Sequence, residues 1–253
     1  MVKIIMCGCN GQMGQMITGL CKEDPDVEIA AGIDVYDGIE NPYPVFSDFA
    51  SCDIEADVIV DFSNAGAVDA LLAYGVEKKL PIILCTTGLS DAQIEAVGRA
   101  AEQTANLRSA NMSLGINTLL SLLKTAAQVL APAGFDIEIV EKHHNRKLDA
   151  PSGTAIALAD SMNQALDDAY AYKYDRSKER KKREKYEIGI QAVRGGNIVG
   201  EHEVIFAGTD EVITFKHTAT SRAVFGKGAL EAAKYLKGKP AGMYDMSDVI
   251  AGA

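Results

Sequence analysis

The first 110 residues alternate short apolar runs with helical stretches, and few folds accept that alternation. "KIIMCG" (3–8), "EIAAGID" (28–34), "ADVIVDFS" (56–63) and "PIILCTTG" (81–88) read as strands. Helices are predicted between and after them: one from about Met13 to Lys22, one through "AVDALLAYGVEKK", and one from Ser90 with Asp91 and Glu95 in its first turns. Strand alternating with helix predicts an α/β fold with a doubly wound parallel sheet of Rossmann-like type.

The texture changes near Ile116. A helix over 117–131 precedes the strand "FDIEIVEKHH", and a second helix is predicted over 155–169. "YEIGIQAVRGG", "IVGEHEVIFAG" and "EVITFKHTATS" then follow as alternating, β-rich segments separated by Gly-containing turns. This predicts a second, α+β domain over 115–222 with a mixed, largely antiparallel sheet. The helix "GKGALEAAKYLKGKP" follows, so segment 223–253 is expected to complete the first domain, 1–114. At 253 residues the chain is long enough for two modest cores without staples.

Composition narrows the partners. No apolar run approaches the roughly 18 residues of a membrane span, and "MVKIIMCGCNGQMG" is not built as a signal peptide. Five cysteines, an odd number with no CxxC, point to free thiols in a reducing cytoplasm. A formal charge of −10 opposes nucleic-acid binding. The basic stretch "KYDRSKERKKREK" (173–185) is therefore read as a solvated loop or frayed helix.

Gly8, Gly11 and Gly14 follow the first strand and open the first helix. Glycines there let the backbone turn tightly and approach a pyrophosphate seated on the helix N-terminus. The spacing is GxxGxxG, weaker as a signal than GxGxxG, but Asp34 ends the second strand 20 residues after Gly14. An acidic residue at that place accepts hydrogen bonds from an adenosine ribose. The small, polar strand ends "DFS" (61–63), "CTTG" (85–88) and "SANMS" (109–113) are placed to line a nicotinamide.

The densest polar cluster is "HHNRKLDAPSGTA" (143–155), which holds two of the four histidines with Arg146 and Lys147 close behind. Ser152, Gly153 and Thr154 occupy the predicted start of a helix, whose N–H groups and positive dipole end suit a carboxylate. The nearby cations oppose protonation of the imidazoles, which fits a neutral His acting beside a Lys donor. No side chain here looks like an activated covalent nucleophile, and no His/Cys spacing suggests a metal. What remains is hydride and proton transfer to a small acid.

"EIVEKHHNRKLDAPSGTA" (138–155) resembles the signature of the dihydrodipicolinate reductase family, also called 4-hydroxy-tetrahydrodipicolinate reductase, of the diaminopimelate route to lysine. The pattern E-x-x-E-x-H-H-x-x-K-x-D-x-P-S-G-T-A is matched at every fixed position. "CTTG", "ANMSLGIN", "RGGNIVGEHEVIF" and "HTATSRAVFGKGAL" extend the likeness along nearly the whole chain. The resemblance implies that a reduced nicotinamide gives hydride as water leaves a small dicarboxylate substrate. It implies His143 as the acid/base residue and Lys147 as the proton donor, with His144, Gly153 and Thr154 holding substrate carboxylates. It places the cofactor on Gly8, Cys9, Asn10, Gly11, Gln12, Met13, Asp34, Cys85, Thr86, Thr87, Ala110, Asn111, Met112 and Ser113. It also implies a homotetramer built through the second domain's sheet.

Departures from the family pattern bear on the cofactor. Cys85 stands where Gly is frequent, and Met112 where Phe or Met is, and neither changes the reading. Gln12 stands where an Arg is common, and Val35 where a basic residue often follows the acidic one. These departures favour NADH, with NADPH possible. Two competing readings remain, another imine or hydroxy-acid reductase on this scaffold and a non-catalytic nicotinamide sensor, but neither requires His143 and Lys147 together.

Overall fold

Alternate residues of the first strand divide between two cores, with Ile4 and Met6 in one and Ile5 and Cys7 in the other. A strand does this only where helices cover both faces of its sheet. The computed structural model describes residues 1–252. The chain begins with β1 (Val2–Cys7), α1 (Gln12–Cys21), β2 (Val27–Ile33), β3 (Val45–Phe46), β4 (Val58–Asp61), α2 (Val68–Lys78), β5 (Ile82–Leu84), α3 (Asp91–Ala101) and β6 (Ala105–Leu107). Then come α4 (Leu114–Leu130), β7 (Asp136–His143), α5 (Gly153–Gln164), β8 (Ala171–Lys173), β9 (Glu187–Arg194), β10 (Gly200–Ala207) and β11 (Val212–Ala219). It closes with α6 (Ala223–Leu236), β12 (Gly242–Tyr244) and α7 (Met246–Ala251). Two units result: Met1–Leu114 with the segment from Ala223 onward, and Gly115–Arg222.

In the first unit seven parallel strands lie in the order β12-β6-β5-β4-β1-β2-β3. This is the doubly wound, Rossmann-like sheet that the alternation predicts. Strand order reverses at β1, between β2 and β4, and the carboxyl ends of these strands border the place where such sheets bind ligands. One core joins Val58, Val60 and Ile83 to Ala229, Ala232 and Ala233 of α6 and Val249 of α7. The other joins Ile59, Ile82 and Leu84 to Leu71 and Leu72 of α2 and Val97 of α3. Neither β12 nor α7 is legible in the sequence, being three and six residues long. The local signal was the capping box at α7, where Asp245 accepts from the Ser247 and Asp248 amides.

The second unit is one mixed sheet, β11-β10-β7-β9-β8, covered by α4 and α5. Strand β10 runs antiparallel to both β7 and β11, as the sequence predicts. Strand β9 instead pairs parallel with β7, and β8 pairs parallel with β9. The chain reaches β9 through a crossover containing α5, and such a connection returns a strand parallel.

Two local expectations need correction. Helix α5 ends at Gln164 rather than at 169. The Asn163 side chain accepts from the Tyr170 amide and donates to the Tyr170 carbonyl, and Asp167 and Asp168 take left-handed backbone conformations. The basic stretch, expected to be solvated, is partly tied down. Arg183 donates to Asp136 at 2.8 Å, to Glu138 at 3.0 Å, to the Ile137 carbonyl at 3.1 Å and to the Glu187 carbonyl. Arg176 shares Glu138, at 2.6 Å, and also pairs with Glu187. Lys178, Lys182 and Lys185 remain exposed.

The two kinds of cation therefore separate by mutation. Arg183→Met is expected to lower stability by about 1–3 kcal/mol, since it removes charge-assisted hydrogen bonds from partly buried carboxylates. Lys182→Ala should change stability by less than ~0.5 kcal/mol. Urea unfolding of the two variants checks the contrast.

Candidate active site

The polar site of the second unit continues its core. Along β7 the side chains of Ile137, Ile139, Glu141 and His143 share the buried face. On β10 the buried series is Gly200, His202, Val204 and Phe206. Strand register sets His202 beside Glu141, His217 of β11 beside His202, and Arg194 of β9 beside His143. Aliphatic rows at one end of the sheet thus give way to ionisable rows at the other.

Glu141 has no exposed surface. Its Oε2 accepts from His143 Nδ1 at 2.7 Å and from Arg194 Nη1 at 2.8 Å. Its Oε1 accepts from Arg194 Nη2 at 2.7 Å and from the Ser152 amide at 2.9 Å. Burial alone raises the pKa of this carboxyl, but Arg194, His143 and the Ser152 amide outweigh it, and the net shift is downward. A carboxylate so held accepts on both oxygens, so in the neutral ring of His143 the proton sits on Nδ1 and the lone pair on Nε2. The Nε2 atom lies 3.2 Å from where a side chain on Gly200 would begin. Glycine at that place leaves room around the nitrogen.

The predicted residues fall into two sets. His143, His144, Lys147, Ser152, Gly153 and Thr154 all lie along one strand end, loop and helix start. Lys147 Nζ is 2.8 Å from Asp149, whose carboxyl it holds below the usual range. Burial, followed by Arg146 and Arg222, lowers the pKa of His144. Gly153 and Thr154 form the first turn of α5, with Ser152 as its cap. Ser152 itself is 1% exposed, and its hydroxyl accepts from the Ala155 amide and meets His202 Nε2 at 3.0 Å. It holds the turn in place and does not face outward.

Sequence reasoning assigned no role to Glu141, Arg194 or His202. The period-two alternation through Ile137 and Ile139, and through Val204 and Phe206, was the signal for the first and last. Arg194 and His202 lie in the segment "RGGNIVGEHEVIF", but nothing local shows that Arg194 pairs with a carboxylate 53 residues away. Burial, reinforced by His143, pushes the pKa of His202 down to about 4. The rings of His143 and His202 meet edge to face with centroids 5.1 Å apart.

In the first unit, Gly8 adopts φ +75°, and a Cβ there would meet the Phe62 carbonyl at 2.6 Å. A Cβ on Gly14 would meet the Gly8 carbonyl at 2.3 Å. Only glycine fits either place. Gly11 caps α1 and offers no side-chain acceptor to its first turn. Gln12 is exposed, Met13 half-buried, and Cys9 buried in the core beneath the turn. Asn10 is tied to Asp34, which accepts from the Asn10 amide at 2.9 Å and the Tyr36 amide at 3.0 Å. A cavity of about 360 Å³ beside this turn is bordered by Gly8, Gly11, Asp34, Val35, Asp48 and Phe49. Asp48 is a second carboxylate there that the sequence did not single out.

The later strand ends are less uniform. Thr86 is buried, Cys85 half-buried and Thr87 exposed. Beneath them lies Asp61, a fully buried carboxyl whose pKa burial raises. Ala110 is exposed, the Asn111 side chain accepts from the Ser113 amide at 2.8 Å, and Met112 and Ser113 are buried. No cluster of three or more potential metal ligands occurs among the described residues.

The depressed His202 pKa gives stability a pH dependence. An unfolded histidine titrates near 6.5, so between pH 6.5 and about 4 the unfolded chain binds more protons at this position. Stability is full above that window and falls as pH drops through it, by up to ~1.4 kcal/mol per unit. His217, also lowered by burial, acts in the same direction. Glu141 contributes below about pH 4.5, where its stabilisation is lost on acidification. Unfolding measured from pH 7 to 4 should show this slope, and His202→Asn should flatten it.

Comparison with known proteins places both units in one family. The family described as "Dihydrodipicolinate reductase, N-terminus" matches residues 2–112, and "Dihydrodipicolinate reductase, C-terminus" matches 115–250. The 4-hydroxy-tetrahydrodipicolinate reductase of Caldanaerobacter subterraneus subsp. tengcongensis is 51% identical over 99% of this chain and 98% of its own length. That of Clostridium tetani is 49% identical over 97% of this chain and 96% of its own. A dipicolinate-bound dihydrodipicolinate reductase from Paenisporosarcina sp. TG-14 shares the fold, with a TM-score of 0.81 at 22% identity over 97% of both chains.

Proposed function

The chain belongs to the dihydrodipicolinate reductase family, and from that premise we propose that it reduces 4-hydroxy-tetrahydrodipicolinate to tetrahydrodipicolinate. One hydride and one proton are taken up, and one water is released. The observation that carries the reading is the loop from His143 to Thr154. It combines an imidazole with its Nδ1 proton fixed, a lysine, and the N-terminus of a 12-residue helix. Those are the parts needed to place a proton on a small dicarboxylate and to hold its charges.

In this reading His143 moves the proton at Nε2 and Lys147 donates alongside it. His144, Gly153 and Thr154 take the substrate carboxylates, aided by the α5 dipole. Ser152 acts through the turn it caps. A reduced nicotinamide, when bound, supplies the hydride. The first unit suits such a cofactor: Gly8 and Gly14 make a turn that a Cβ would fill, and α1 begins without a side-chain cap. Residues 8–13 would cradle the pyrophosphate, Asp34 the ribose, and residues 85–87 and 110–113 the nicotinamide end. A cytoplasmic homotetramer assembled through the second unit's sheet completes the reading; no helix among the described residues is long and apolar enough to cross a membrane.

A coupled assay with freshly prepared substrate and NADH tests the activity directly. His143→Gln and Lys147→Ala should each lower turnover roughly 100- to 10,000-fold while leaving NADH binding nearly intact. Wild-type turnover in either variant removes that residue from the chemistry.

NADH is the preferred cofactor in this reading. The cavity beside the glycine turn is bordered by Asp34 and Asp48, with no Lys, Arg or His lining it among the described residues. A ribose 2′-phosphate near Asp34 would meet repulsion of about 1–4 kcal/mol per charge pair at close range. NADH should therefore exceed NADPH by roughly ten- to a few-hundredfold in kcat/KM. The double variant Gln12→Arg, Val35→Arg should move the ratio toward NADPH. Parity in the wild type at low salt would show that the phosphate finds a cation elsewhere.

A further inference from the structure

We propose that Glu141 and Arg194 are positioning residues for the proton-moving step. In this proposal Glu141 fixes which nitrogen of His143 is presented, and Arg194 cancels the Glu141 charge so that the proton at Nε2 stays exchangeable. The inference rests on the proposed reaction for its kinetic meaning, but its geometry stands independently.

Both oxygens of Glu141 are used, each shared between Arg194 and one further donor, His143 Nδ1 or the Ser152 amide. The carboxylate therefore has one arrangement, and in that arrangement His143 can only donate to it. The proton that comes and goes is confined to Nε2, the atom that Gly200 leaves room for. Without Arg194, a buried carboxylate 2.7 Å from the ring would hold the imidazolium against release. With a bidentate guanidinium on the same carboxylate, the pair as a whole presents little net charge to the ring.

The groups facing His143 from the packed elements are few. On its own strand there is Glu141; from β9 comes Arg194 and from β10 His202. His144 and Lys147 follow in the loop, and Ser152 caps α5. His202, with its pKa pushed down to about 4, stays neutral through the working range. Glu141 and Arg194 are thus the fixed charges bonded into the His143 site. Arg194 also donates to the Asp149 carbonyl at 2.7 Å, so the pair additionally anchors the loop that carries Lys147.

A purely structural pair and a positioning pair differ in what their variants do. The test titrates the His143 ring by 15N NMR in histidine-labelled protein, assigned against His143→Gln, together with pH profiles of kcat. Glu141→Gln leaves Arg194 unopposed and should move the His143 titration midpoint to lower pH. Arg194→Met leaves Glu141 unopposed and should move it to higher pH, each by about one to three units. Glu141→Gln with Arg194→Met together should return it toward the wild-type midpoint, and the kcat profiles should follow the ring. Arg194→Lys serves where Arg194→Met does not fold, and should move the midpoint upward by less. In the wild type the neutral ring should show the Nδ1–H form, with some Nε2–H appearing in Glu141→Gln. Midpoints that stay put or move the same way in both single variants overturn the proposal, as does an Nε2–H ring in the wild type. A wild type with the predicted ring behaviour but no reductase activity would instead overturn the proposed reaction.

Discussion

A carboxylate with no exposed surface must have its charge met from within, and in the second unit much of the architecture around Glu141 answers that requirement. Removing one partner from a buried ion pair costs about 3–5 kcal/mol, because the other charge is stranded. Arg194 reaches Glu141 because β9 runs parallel to β7 in the register that sets Arg194 beside His143. The Ser152 amide reaches it because the loop after β7 folds back to start α5 beside the strand it left. The crossover that makes the sheet mixed and the ion pair that organises the site are one construction seen at two scales.

Much of this was legible from periodicity. The alternation of strands and helices identified the parallel sheet of the first unit, and the glycine turn that follows β1 was read directly from its spacing. What periodicity missed was either short or non-local. Strands β3, β8 and β12 have only two or three residues each and lack the continuous aliphatic run that marks the equally short β5. The end of α5 is set by a side chain bonding backbone seven residues on. The direction of β9 depends on the route of the connection before it, which no local signal encodes.

The site divides in the same way. His143, Lys147 and the Ser-Gly-Thr turn are contiguous, so a dense motif announced them. Their support comes from β9 and β10, and the contacts it makes were invisible until strand register was known. Ser152, singled out with its neighbours, is buried, and its hydroxyl caps the start of α5. In the first unit the sequence singled out Asp34 but not Asp48, which a connecting segment brings to the same cavity.

The discontinuity of the first unit has a consequence for how the chain is made. Its core needs α6 and α7, and the open edge of β6 needs β12, yet these segments follow the whole second unit in the chain. The second unit, though it starts later, has all its strands and both covering helices by residue 219. During synthesis the nascent Rossmann-like sheet must wait, with one face covered only in part, by α1, and one edge unpaired, while the insert beyond it is already complete.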